Sequence, residues 1–165
     1  MNSLLDAPFD YRVLEVLGSA PGIFFPPAEV LERLGGDSDD LRQALAALRR
    51  VGYSVEGHPD GGFRLCTEVE VIRRDMILGA LKTEALGRTL ACYLEVESTN
   101  DLAMQAALEG APHGTVVTAE HQTAGRGRRG QTWFSPPGTG LWISCILRFD
   151  LSVCEAWMLT MGAVV

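Results

Sequence analysis

The segment Gly125-Arg126-Gly127-Arg128-Arg129-Gly130 constrains this chain more than any other stretch of six residues. It follows an apolar run at 115–120 that reads as a strand. It also matches G-x-G-x-x-G, the turn that sets a dinucleotide pyrophosphate on a helix N-terminus. Such a site needs a helix to open at the motif. Here the chain continues as Gln131-Thr132-Trp133-Phe134-Ser135-Pro136-Pro137-Gly138, and adjacent prolines cannot continue a helix. A dinucleotide-binding fold is therefore excluded. What remains is a loop with three guanidiniums in four residues, whose glycines let the backbone approach a ligand closely and reorder. Arginine forks hold carboxylates and phosphates, which suits a reaction joining two anions. The competing reading is a solvated basic loop on an otherwise acidic chain of net charge −7.

The periodicity of the apolar residues changes along the chain. Val13, Leu14 and Leu17 mark a first helix, stopped by Gly18 and the Pro21-Gly22 turn. Val30, Leu31 and Leu34 mark a second, opened by Pro26-Pro27 and closed by Gly35-Gly36. A third carries Leu41, Leu45 and Leu48, with Asp37 or Ser38 as N-cap and Gly52 as its stop. Residues 53–56 and 63–65, joined by the turn His58-Pro59-Asp60-Gly61-Gly62, read as a hairpin. This order predicts a winged helix-turn-helix at 1–65, in preference to a generic three-helix bundle with a terminal hairpin. Its candidate DNA contacts are Ser38, Arg42 and Arg49. The charge works against them. Residues 1–65 hold six basic and ten acidic side chains, net −4, and the third helix opens Asp37-Ser38-Asp39-Asp40.

Residues 66–90 read as a linker with one helical stretch carrying Val71, Ile72, Met76, Leu78 and Leu81. From 91 to 165 the pattern alternates: strand at 93–96, helix at 100–108, strands at 115–120 and 141–148, and a helix from Cys154 onward. That succession predicts an α/β (α+β) domain. Cys66, Cys92, Cys145 and Cys154 have neither metal-clip nor redox spacing and read as buried, reduced thiols, with no metal site expected. With no secretory leader and no spanning segment expected, the chain is placed in the cytoplasm, away from membranes.

Glu97-Ser98-Thr99-Asn100-Asp101 sits at a strand-to-helix junction. Ser98 as N-cap and Asp101 in capping-box register explain two of these residues. Thr99 and Asn100 are left free to hold a small polar ligand, and the amide of Gln122 is placed to reach the same pocket. These segments, with Glu120 to Gly130 and Trp133-Phe134-Ser135-Pro136, closely resemble the signature of biotin–protein ligases. The preceding helices and hairpin resemble the bifunctional, biotin operon repressor branch.

The resemblance implies a class II aminoacyl-tRNA synthetase-like (biotin/lipoate ligase) domain, of which 91–165 would be about the first half. It implies condensation of biotin with ATP-Mg2+ to biotinyl-5′-AMP, and transfer to a lysine of the biotin carboxyl carrier protein of acetyl-CoA carboxylase. Ser98, Thr99 and Asn100 would line the biotin pocket and bond the ureido ring, with Gln122 beside them. Arg126, Gly127 and Arg128 would close over the biotin carboxylate and adenylate phosphate, with Arg126 and Arg128 as the catalytic pair. Trp133 is expected to pack at the loop's hinge. Operator DNA and a homodimer in full-length members are implied as partners. The apolar end at Val165 reads as a helix in progress, with later family segments expected beyond it. The alternatives are a non-catalytic biotin-sensing DNA-binding regulator, an inactive ligase fragment and, third, a lipoate ligase.

Overall fold

A computed structural model describes residues 3–59, 61–66, 71–127, 129 and 131–150. After a 3-10 turn at Ser3–Leu5, helix α1 (Phe9–Gly18) buries Tyr11, Val13, Leu14 and Leu17 along one face. Helix α2 (Pro27–Leu34) starts with proline in its first turn, where the missing N–H costs nothing, and buries Val30. Helix α3 (Ser38–Val51) settles the choice of cap. Asp37 accepts from the N–H groups of Asp39 and Asp40 at 2.8 and 2.9 Å, and Asp40 accepts from the Asp37 N–H at 3.0 Å. Gly52 closes α3 at φ 110°, a left-handed conformation that a side chain would strain. Strands β1 (Val55–Gly57) and β2 (Phe63–Leu65) form the expected antiparallel hairpin. Tyr53 stays out of the ladder because its N–H is taken by Leu48 O at 3.0 Å.

Helix α4 covers only Arg74–Ala80. Val71 and Ile72, expected within it, lie before it in extended chain. The Ile72 N–H bonds Glu120 Oε1 at 3.1 Å and its carbonyl accepts from the Tyr11 hydroxyl, so side chains of other elements claim the groups a helix would use.

The second sheet has the order β3 (Leu90–Val96), β4 (Val116–Gln122), β5 (Trp142–Cys145). β3 and β4 are parallel, joined through helix α5 (Thr99–Leu108), and β5 returns antiparallel to β4. The third strand is shorter than the 141–148 expected. Ile146 still bonds Gly114 and Thr115, but the Arg148 guanidinium turns aside and donates to Ala107 O and Ala111 O at the end of α5. Gly114 is held at φ 79° with Ala85 O only 2.6 Å from where a Cβ would stand, so no other residue fits there.

Alternation along β3 separates two cores. Leu90, Cys92 and Leu94 join the cluster built by α1, α2 and α3, whereas Ala91 and Tyr93 pack with Ala103, Ala106 and Val117 on the α5 side. The N-terminal helices and the sheet thus share one core. Full burial of Leu14, Leu48 or Leu94 contributes about 1.5–3 kcal/mol each. The helix expected from Cys154 lies outside the described residues. The cysteine expectation fails in part, because Cys66, just after β2, and Cys145, at the end of β5, are exposed. Cys92 is buried, and burial pushes its thiol up to about 11. Among the described residues no helix is long and apolar enough to cross a membrane.

Glu120 is 4% exposed between the sheet and the N-terminal helices. Burial raises its carboxyl above the ordinary 4.5, against the hydrogen bond from the Ile72 N–H, which favours the charged form. A carboxyl raised on folding stabilises the protein fully below its unfolded pKa and loses that contribution as pH rises through the folded value. Glu120→Gln is therefore expected to be more stable than the parent at pH 7, by about 1–3 kcal/mol. The gap should vanish near pH 4 in urea denaturation.

Candidate functional site

The C-terminal ends of parallel β3 and β4 run side by side into the start of α5. Thr123 N–H bonds Val96 O at 3.0 Å and Ala124 N–H bonds Glu97 O at 2.9 Å, so the two exits stay in register. Ser98 caps α5, accepting from the Asp101 N–H at a long 3.4 Å. The buried Thr99 donates its N–H and hydroxyl to Gln122 Oε1, at 2.9 and 3.2 Å. The Thr99 hydroxyl also meets Ser144 Oγ at 3.0 Å, and Gln122 Nε2 donates to Ser135 Oγ at 3.4 Å. Ser98, Thr99 and Gln122 thus come together from segments more than twenty residues apart. Asn100 does not join them; it is exposed, with its amide turned toward Met104 Sδ at 3.7 Å.

Sequence reasoning missed Ser135 and Ser144. Both carried a signal: Ser135 is the one hydroxyl inside Trp133-Phe134-Ser135-Pro136, and Ser144 is the one hydroxyl in the apolar strand. Gln122 and Ser135 are also bridged through their backbones, with Gln122 N–H to Ser135 O at 3.3 Å. That bridge draws the Trp-Phe-Ser-Pro segment into the site.

The described residues on either side of the Gly-Arg segment are bonded to one another. Trp133 N–H bonds Gly125 O at 2.8 Å, Gly127 N–H bonds Gln131 O at 2.7 Å, and Arg126 bridges Thr132, forming a narrow turn-back. Its glycines answer to close approach. A Cβ on Gly127 would stand 2.3 Å from Trp133 Nε1, and one on Gly125 would stand 3.0 Å from Gln122 Nε2. Trp133 rests over this turn and meets Trp142 edge to face at 6.4 Å, while Phe134 is 89% exposed. Arg129 adopts φ 62°, an uncommon conformation outside glycine. Arg128 lies outside the described residues.

Asp101 departs from the capping-box expectation. Its carboxylate leaves the Ser98 backbone and takes Arg126 Nη2 on both oxygens at 2.5 Å, because a full guanidinium charge outcompetes a neutral N–H. Nearby, Glu95 accepts from His121 Nδ1 at 2.9 Å and from Arg50 Nη2 at 3.1 Å, and His121 holds its carboxyl below the ordinary range. The pair Arg50–Glu95 ties α3 to β3.

The candidate DNA contacts lie on α3. Ser38 is exposed at its first turn, Arg42 pairs with Asp39 at 3.1 Å, and Arg49 donates to Val55 O at 3.2 Å. Among the described residues no group of three or more His, Cys, Asp or Glu side chains is arranged for a metal ion.

Taken together, these parts form a network of one amide and three hydroxyls, bonded to one another, with the Arg126–Asp101 pair on the exposed side of the same strand-to-helix junction. Residues 93–165 match the model of the Biotin/lipoate A/B protein ligase family. The chain is 34% identical over 153 residues to the Bifunctional ligase/repressor BirA of Bacillus subtilis, covering 93% of this chain and 47% of that protein. It is 32% identical over 131 residues to the Bifunctional ligase/repressor BirA of Escherichia coli, covering 79% of this chain and 39% of that protein. The chain spans about half the length of the curated relatives it matches.

Proposed function

We propose that the chain, whose residues 93–165 match the model of the biotin/lipoate A/B protein ligase family, acts in ATP-dependent attachment of biotin to a carrier-protein lysine. The observation that carries this reading is the meeting of Thr99, Gln122, Ser135 and Ser144 beside Arg126. A ureido ring needs both acceptors and donors fixed in place, and an amide with three hydroxyls supplies them. Ser98 and Thr99 orient that end of biotin from the start of α5, and Gln122 reads it from β4.

In this reading the biotin carboxylate attacks the α-phosphorus of ATP. A C–O–P bond forms, pyrophosphate leaves and biotinyl-5′-AMP remains. A neutral lysine amine of the carrier then attacks the acyl carbon, AMP leaves with the C–O bond electrons, and the amine gives up its proton. Arg126 offsets the charge shared by carboxylate and phosphate, with Arg128 as the second cation of the same loop. Gly127 lets that backbone come close, and Trp133 screens it from water. Mg2+ would enter with the triphosphate as part of that substrate, offsetting the charge of the leaving pyrophosphate. ATP as substrate and free thiols support a cytoplasmic setting.

The test is incubation of the chain with biotin, ATP-Mg2+ and a biotin carboxyl carrier protein. Biotin-dependent labelling of the carrier above the no-enzyme background supports the reading. Labelling at background overturns it.

The N-terminal half supports a second function. Three helices followed by an antiparallel hairpin, with three residues between α2 and α3, fit a winged helix-turn-helix at 1–65, joined by 66–90 to the ligase part. The similarity to bifunctional ligase/repressors favours a repressor role that includes binding to operator DNA. Ser38, Arg42 and Arg49 are its DNA contacts in this reading, although Arg42 and Arg49 are engaged within the fold. Sequence-specific binding to promoter DNA that weakens steeply with salt supports the regulator; its absence leaves the ligase alone.

A further inference from the structure

The third position of α5 is where a capping carboxylate reaches back to the N-cap backbone. Asp101 holds that position, yet both its oxygens accept from Arg126 Nη2 at 2.5 Å. The contact joins α5 to the Gly-Arg turn across 25 residues of sequence. On either side of Arg126 the backbone is already fixed, by Trp133 N–H to Gly125 O and by Gly127 N–H to Gln131 O. The remaining freedom of Arg126 lies in its long side chain, and Asp101 is the group that sets it. Both partners face water, with side chains 56% and 42% exposed, so the pair is weak enough to exchange. Thr99, two residues before Asp101 in the first turn of α5, opens the buried amide–hydroxyl network described above.

Resting on the ligase reading, we propose that Asp101 is a positioning and selectivity residue, the resident counter-ion of Arg126 that an incoming ligand anion displaces. A ligand carboxylate or phosphate replaces the Asp101 carboxylate at the same guanidinium, and a neutral ligand of the same shape leaves the pair closed. Asp101 thereby keeps Arg126 parked beside the pocket and makes its release depend on the charge of the ligand. No bond is made or broken; one anion takes the place of another.

The test uses the full chain with Asp101→Asn and Asp101→Glu. Without any ligand, the rate of phenylglyoxal modification at Arg126, mapped by mass spectrometry, should rise about two- to fivefold in Asp101→Asn and return to the parent rate in Asp101→Glu. In calorimetry, biotin should bind Asp101→Asn about two- to fivefold more tightly, while neutral biotinamide binds both proteins alike. Equal modification rates in parent and Asp101→Asn overturn the pairing. An equal shift for both ligands overturns the selectivity role while leaving the ligase reading intact. A parent chain that binds neither ligand overturns the ligase reading and the selectivity role together.

Discussion

Leu14→Ala is expected to destabilise the entire described structure by about 2–5 kcal/mol, and to do so in one transition. Leu14 is fully buried in α1, and its cluster continues through Leu48 of α3 into Leu90, Cys92 and Leu94 of β3. Removing three carbons there leaves a cavity bordered by both halves of the chain. The tryptophans make the test clean, because Trp133, Trp142 and Trp157 all lie far from the substitution in sequence. Helical circular dichroism and tryptophan fluorescence should shift together in urea. Two separated transitions, with only the helical signal moved, would show that residues 1–65 fold as an independent unit.

A second large effect is expected at Gln122→Leu. Gln122 Oε1 accepts from two groups of Thr99, and its Nε2 reaches Ser135. Leucine fills the space and leaves the Thr99 N–H without an acceptor, while the Thr99 hydroxyl keeps Ser144, which costs about 1–3 kcal/mol of stability. Biotin affinity should fall more steeply, by roughly tenfold to a hundredfold, since the pocket loses the amide that reads the ligand and the order of its neighbours. Gln122→Glu keeps an acceptor for Thr99 and loses the donor, so it should fold as the parent does and bind with an intermediate loss. Calorimetry with biotin, alongside a thermal melt, separates the two effects. Parent-like affinity in Gln122→Leu would remove Gln122 from the site.

Much of the site was legible because its residues are close to one another in sequence. The Ser98 cap needs only its own helix start, and the exclusion of a dinucleotide turn needs only Pro136 and Pro137. Ser135 and Ser144 were not legible, because what gives them meaning is Gln122 and Thr99 across the sheet. Asp101 was misread for a related reason. Its local partner, the Ser98 N–H, is visible in the sequence, whereas the stronger one lies on another segment. Asn100 shows the converse, since it is adjacent to Thr99 in sequence and the 100° turn of the helix leaves it exposed, outside the Thr99–Gln122 hydrogen bonds.

The sequence by itself determined the three N-terminal helices, the Ser98 cap, the alternation along β3 and the charge of the Gly-Arg segment, because each depends on contacts within a few residues. Tertiary structure alone decided that Glu120 is buried between the two halves and that Arg126 is held by Asp101. It also decided that the glycines at 125 and 127 are required by Gln122 and Trp133. These depend on which surfaces meet when α1 and α3 pack on β3 and when β4 lies beside β3. Local propensity carries no information about that meeting, whose free energy comes from excluding water between segments distant in the chain.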